Sequence, residues 1–334
     1  MIIDVHAHVG DWRRTKDDSR VPMTWDLLLW RLDDEGLDRA VVLPAFGASP
    51  EGALYGLCVT PGNSTADLVL GAARYPDRLI PFGCLDPRWG PNRPDTDFSE
   101  VLDWLIEQGA RGVGEIMAKL PFDDPRVVNL FRQAGEKGLP VLLHNGAFGA
   151  VTYGLEDEPG CPRLERLLQA VPETTVIAHG PGFWSEIGPP PPPELKSGYP
   201  KGSFTGEGAV ARLLRRYPNL YADISACSCF RAFCRNPEYA ARFLNEFQDK
   251  AILGTDIFSR NPARAEEERA NVQRLVESVV EGRPDEEAFG RVYWHEGLMP
   301  QLPYLQALRD RGHLTDAAYH KIAGGNAARL LGLG

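Results

Sequence analysis

The sequence predicts an α/β fold, a (β/α)8 TIM barrel with a C-terminal helical extension. Three observations carry this reading. Eight apolar, β-branched runs alternate with eight longer amphipathic segments along the 334 residues, the rhythm of repeated βα units around a parallel sheet. No glycine-rich phosphate loop follows the first run, where an open doubly wound sheet would carry one. Charged and metal-binding side chains stand at the ends of different runs, and a barrel gathers its strand ends into one mouth. The unbroken rhythm reads as a single domain over residues 1–334.

In order, strands are expected at Ile2 to His6, Ala40 to Leu43, Leu79 to Cys84, Gly112 to Ile116, Pro140 to His144, Thr175 to His179, Leu220 to Ile224 and Ala251 to Thr255. Each is short, apolar and bounded by polar or turn residues. Helices are expected at Trp25 to Glu35, Thr65 to Tyr75, Phe98 to Gln108, Pro125 to Lys137, Pro162 to Ala170, Gly208 to Tyr217, Pro237 to Phe247 and Ala263 to Val280. Gly36, Gly109, Gly138, Pro172 and Pro218 supply stop signals. Further helices, Leu302 to Arg311, Asp316 to Ile322 and Asn326 to Leu331, are expected on the barrel's outside. The stretch Gly180 to Gly208 breaks the rhythm with a stiff proline run, Pro189 to Pro193. Because it leaves the sixth strand just after His179, it is expected to shape one wall of the site.

A formal net charge of −10 repels phosphate backbones and anionic membranes over most of the surface. The expected partner is therefore a small-molecule substrate, with no nucleic acid and no membrane, and a homo-oligomer left open. The N-terminus lacks a secretory pattern and no apolar stretch approaches the roughly 20 residues that span a bilayer, so a cytoplasmic protein is expected. Cys58, Cys84, Cys161, Cys227, Cys229 and Cys234 show no paired spacing and read as reduced thiols.

The chain opens Asp4-Val5-His6-Ala7-His8. Residues two apart on a strand face the same way, so both imidazoles can reach one target, and neutral imidazole is the commonest ligand for zinc-like ions. Glu115 ends the fourth strand, His144 the fifth, His179 the sixth and Asp256 the eighth. Each follows an apolar run, and six such positions converge on the mouth of a barrel. Together they point to a metal site. His295, His313 and His320 lie among later loop and helix residues and read as surface or packing histidines.

On Asp4 to His8, Gly112 to Ile116, Leu139 to His144, Val176 to Gly180, Ile252 to Asp256 and the ending Gly324 to Gly332, the sequence resembles the amidohydrolase superfamily, in the branch called amidohydrolase family 2. The resemblance spans essentially the whole chain. It implies a distorted TIM barrel holding one or two divalent ions, most simply zinc, with manganese or magnesium as alternatives. It also implies His6, His8, His144 and Asp256 as ligands, and His179 as a ligand to a second ion or a hydrogen-bond donor to substrate. Glu115 departs from the pattern, because many two-metal relatives carry a modified lysine there. The segment is similar to the TatD-type metal-dependent deoxyribonucleases, and a bridging carboxylate suits two ions.

Three activities follow as expectations. The first is a metal-dependent hydrolase of a small ester, lactone or amide, in which Asp256 moves the proton of an activated water and His179 polarises the carbonyl. The second is non-oxidative decarboxylation of an aromatic or unsaturated acid, with Arg88, Lys119, Arg231 and Arg260 as candidate grips for its carboxylate. Trp12, Trp89, Phe183 and Trp184 are candidate pocket walls. The third is a TatD-like nuclease, opposed by the acidic surface.

Overall fold

The computed structural model describes residues 1–13, 17, 19–44, 64–147, 149, 153–292 and 297–333. Two parallel sheets build the centre. One orders β1 (Ile3–Ala7), β2 (Arg39–Val42) and β3 (Leu79–Pro81) side by side. The other runs β4 (Val113–Ile116), β5 (Val141–Ala147), then β7 (Val176–His179), β8 (Leu220–Asp223) and β9 (Ala251–Ile252), with a short β6 (Leu155–Asp157) beside β5. Hydrogen bonds cross both seams between the sheets. Gly83 bridges Val113, and Gly114 N–H donates to Gly83 O over 2.9 Å. At the other seam Val5 N–H donates to Leu253 O and Asp256 N–H to His6 O. The expected barrel order is therefore present, and each expected strand has its counterpart within a few residues.

Helices alternate with the strands for reasons visible locally. Trp25–Glu35 starts where the Thr24 hydroxyl accepts from Leu27 N–H and stops at Gly36, held at φ 70°, a left-handed value that favours glycine. Pro125–Glu136 starts with proline in its first turn and Asp124 as its cap. Among the described residues three helices were not expected: Pro181–Trp184 and Ala226–Arg235, both almost wholly buried, and Glu286–Val292. Phe183 and Trp184 are core residues rather than pocket walls, with Trp184 Nε1 donating to Asp223 O.

The barrel's interior is packed by Val5, Val41, Ile80, Leu142, Ile177 and Ile252, joined from below by Ala327 and Leu331. Helix Asn326–Leu330 thus closes the underside instead of lying outside. Asn326 Nδ2 donates to Ala251 O, and Leu253 N–H donates to Ile322 O. The described cysteines, Cys84, Cys161, Cys227, Cys229 and Cys234, are free thiols and buried; Cys58 lies outside the described residues. Among the described residues no helix is long and apolar enough to cross a membrane.

Candidate metal centre

Six side chains from five strand ends meet at the mouth. The pairing of β1 with β2 shifts register between Asp4 and Ala7, an irregularity of the bulge kind that re-aims side chains. Val5 therefore packs the interior while His6 and His8 join the cluster above it. His6 Nε2 lies 3.1 Å from His8 Nε2, 3.5 Å from Glu115 Oε2 and 3.3 Å from Asp256 Oδ1. His8 Nε2 lies 3.8 Å from Glu115 Oε2 and 3.2 Å from Asp256 Oδ1. Zinc bonds of ~2.0 to 2.2 Å in a tetrahedron place donor atoms roughly 3.3 to 3.6 Å apart, so His6, His8 and Asp256 could share one such ion, while His6, Glu115 and His179 form a second group of donors that could hold one. Asp256 reaches the group from a left-handed backbone, φ 62°, a conformation that aspartate tolerates better than most residues.

The second oxygen of each carboxylate faces the other two histidines. Glu115 Oε1 is 2.7 Å from His144 Nδ1 and 3.7 Å from His179 Nε2, and Asp256 Oδ2 is 3.8 Å from His179 Nε2. The His144 ring sits between Gly154 and Gly180, both at positive φ, where an added Cβ would come within 2.7 and 3.1 Å of its Cδ2. Both positions require glycine for the ring to keep its place.

Hydrogen bonds fix which nitrogens carry protons. Leu43 O can only accept, so His8 donates to it from Nδ1 over 2.9 Å and, when neutral, keeps a lone pair on Nε2. His6 Nδ1 faces Asp223 Oδ2 at 2.7 Å with the same result. The Ser225 hydroxyl donates to Asp223 Oδ2 over 2.6 Å and accepts from His179 Nδ1 over 2.7 Å, leaving Nε2 of His179 as an acceptor. Carboxylates and carbonyls placed behind metal-binding histidines orient them in this way. Sequence reasoning missed Asp223 and Ser225. The available signal was Asp223 closing the apolar run of the seventh expected strand, as Glu115 and His179 close theirs.

The cluster is short of positive charge. Burial works against a charged His6, yet the carboxylates of Asp256, Asp223 and Glu115 raise it well above the ordinary imidazole value. Glu115 is also penalised by burial, but hydrogen bonds from His144 and His6 hold it well below the usual carboxylate range. His179 is pushed well down by burial and by His6, which favours the neutral ring. Three carboxylates around His6, those of Glu115 and Asp223 buried, make a set suited to a cation.

Around the centre, Trp12 lies 5.1 Å from His8 between ring centroids and stacks on Phe258, and Tyr153 lies 4.7 Å from His144. Trp89 is exposed and packs on Phe98 instead. Arg88 pairs with Asp86, Arg231 with Glu286, and the buried Arg260 with Asp34, Glu35 and Glu268. His313 and His320 are exposed, and His295 lies outside the described residues.

A family model for amidohydrolases matches residues 3–333. The chain belongs to the amidohydrolase family. No curated protein matches it. Among solved structures, an uncharacterised TIM-barrel protein from Bordetella bronchiseptica is 18% identical, with 99% of this chain and 98% of that chain covered and a TM-score of 0.59. A probable 2-pyrone-4,6-dicarboxylic acid hydrolase from Acinetobacter baumannii is 16% identical, covers 99% of each chain and has a TM-score of 0.54. A 2,6-dihydroxybenzoate decarboxylase from Rhizobium is 13% identical, with 99% and 98% covered and a TM-score of 0.53. These likenesses establish the TIM-barrel fold.

Proposed function

We propose that the chain is a metal-dependent hydrolase that cleaves a small ester, lactone or amide with water. The observation that carries this is the convergence of His8 Nε2, Glu115 Oε2 and Asp256 Oδ1 on His6 Nε2, each 3.1 to 3.5 Å from it. These four would hold one divalent ion, and imidazole with carboxylate suits zinc best. Glu115 Oε1, His144 Nδ1 and His179 Nε2 would hold a second, with Glu115 shared. A divalent ion in such a site lowers the pKa of a bound water toward neutrality and polarises a carbonyl.

The chain's own groups supply the rest. Asp256 is the most open of the donors, its side chain 20% exposed against 4% for Glu115, so it can take the water's proton and pass it to the leaving group. His179 has its Nδ1 committed to Ser225, which favours the ligand role over that of a donor to substrate. Decarboxylation is less well supported, because Arg88 and Arg260 are engaged by acidic side chains and Arg231 lines a cavity away from the barrel mouth. The charge of −10 weighs against a nucleic-acid substrate.

The test is a panel of aryl esters, lactones and amides offered to zinc- or manganese-loaded protein, with 2,6-dihydroxybenzoate and single-stranded DNA beside them. Hydrolysis that stops on chelation supports the proposal. Carbon dioxide release or DNA cleavage without hydrolysis overturns it.

A further inference from the structure

A cavity of about 540 Å³ lies away from the barrel mouth, at the far end of helix Ala226–Arg235 from Ser225. Its walls include Ser203, Phe204, Arg231, Arg235, Pro237 and Glu286. Ten residues of helix span ~15 Å, so the cavity and the metal centre are separate places joined by one rod.

The two arginines are held in place but underused. The Arg231 side chain is 4% exposed, its guanidinium carbon sits 4.8 Å over the Phe289 ring, and its Nη1 serves both oxygens of Glu286 at 2.7 and 2.8 Å. Among the described residues nothing takes its Nε or Nη2. Arg235 lies 5.0 Å over Phe204 and donates from Nε to Gly202 O, while Nη1 is buried with no partner and Nη2 bonds nothing described. The carboxylate on the cavity wall is Glu286, 63% exposed and turned to Arg231. Burial and the charge of Arg231 both depress the pKa of Arg235, which marks uncompensated positive charge.

We propose that this cavity binds a small organic oxyanion, a molecule carrying a phosphate or carboxylate group. Arginine forks match both groups bidentately, and the Ser203 and Thr205 side chains line the same wall. Cavities of roughly 300 to 1,000 Å³ hold whole small molecules, so the volume here exceeds a bare ion's need. Phe204, Pro237 and Pro284 offer apolar surface to the ligand's body.

The test is calorimetric titration of the full-length protein with glucose 6-phosphate and with succinate at low ionic strength, which also separates the two sources of oxyanion. Binding is expected for at least one. In Arg235→Met it should weaken about tenfold or more, the size of a lost charge-assisted hydrogen bond. Glu286→Gln, which removes the competing carboxylate, should tighten it. His8→Ala should leave it unchanged, because the metal centre is not involved. Failure of both probes at millimolar concentration, equal affinity in Arg235→Met, or loss in His8→Ala overturns the proposal. None of these readouts depends on the hydrolase assignment.

Discussion

The hydroxyl of Ser225 lies 2.7 Å from Nδ1 of His179, and its proton is spent on Asp223. The serine therefore sets the tautomer of a histidine it does not otherwise touch. Ser225→Ala frees that ring to turn and to protonate Nε2. Metal affinity should fall about tenfold, within the range for lost supporting hydrogen bonds, and a competitive chelator titration would read it. Unchanged affinity would remove the positioning role.

Asp256→Asn keeps an oxygen for the ion but loses the proton acceptor. Turnover of a hydrolysed ester should drop by about 10² to 10⁴, with metal content by elemental analysis unchanged. Wild-type turnover with metal bound would refute the proton-shuttle role.

Glu115 offers one oxygen toward His6 and the other toward His144. Wild-type protein should carry two metal equivalents per chain and Glu115→Gln one. A single equivalent in the wild type would place Glu115 outside any bridge.

Asp4 is fully buried and accepts from Arg31 Nη1 and Thr255 Oγ1 at 2.6 Å each, from Thr255 N–H at 2.9 Å and from His6 N–H at 3.0 Å. It fastens the His6 strand to the Asp256 strand. Asp4→Ala leaves the buried Arg31 with Glu35 as its carboxylate partner at 3.0 Å and takes an acceptor from Thr255 and from His6 N–H, so denaturant unfolding should show a loss of about 1 to 3 kcal/mol.

Asp157 gives a pH prediction. Burial raises its carboxyl to about 6 despite hydrogen bonds from the backbone of Leu164, Arg163 and Glu158. The folded chain binds this proton more tightly than the unfolded one, near 3.9. Its contribution is present below about pH 4 and is lost as pH rises to about 6, by roughly 3 kcal/mol. The stability difference between wild type and Asp157→Asn should change with that sign over that window. A flat difference would show the carboxyl to be ordinary.

Much of the barrel was legible because its strands are short apolar runs ended by polar residues. Pro162–Ala170 and Trp25–Glu35 carry start signals and an apolar stripe, and their bounds were readable. Ala226–Arg235 was not, because Cys227, Ser228, Cys229 and Phe230 are weak helix formers that give its first turn no start signal. The six residues that meet at the mouth could be named from strand ends alone. Asp223 and Ser225 could not, since a strand drawn through Ile224 hides the turn that aims them. The helix Asn326–Leu330 looked like an outer helix because its apolar stripe does not say whether it faces other helices or the barrel floor.

Closing the ring has a cost in time. His8 and Asp256 stand 248 residues apart in sequence, and Leu253 leans on Ile322. Contacts this distant form slowly, since a long loop must close before they are rewarded. A nascent chain cannot bring His8 to Asp256 until residue 256 has been synthesised, so the cluster that could hold an ion is among the last parts of the barrel to assemble.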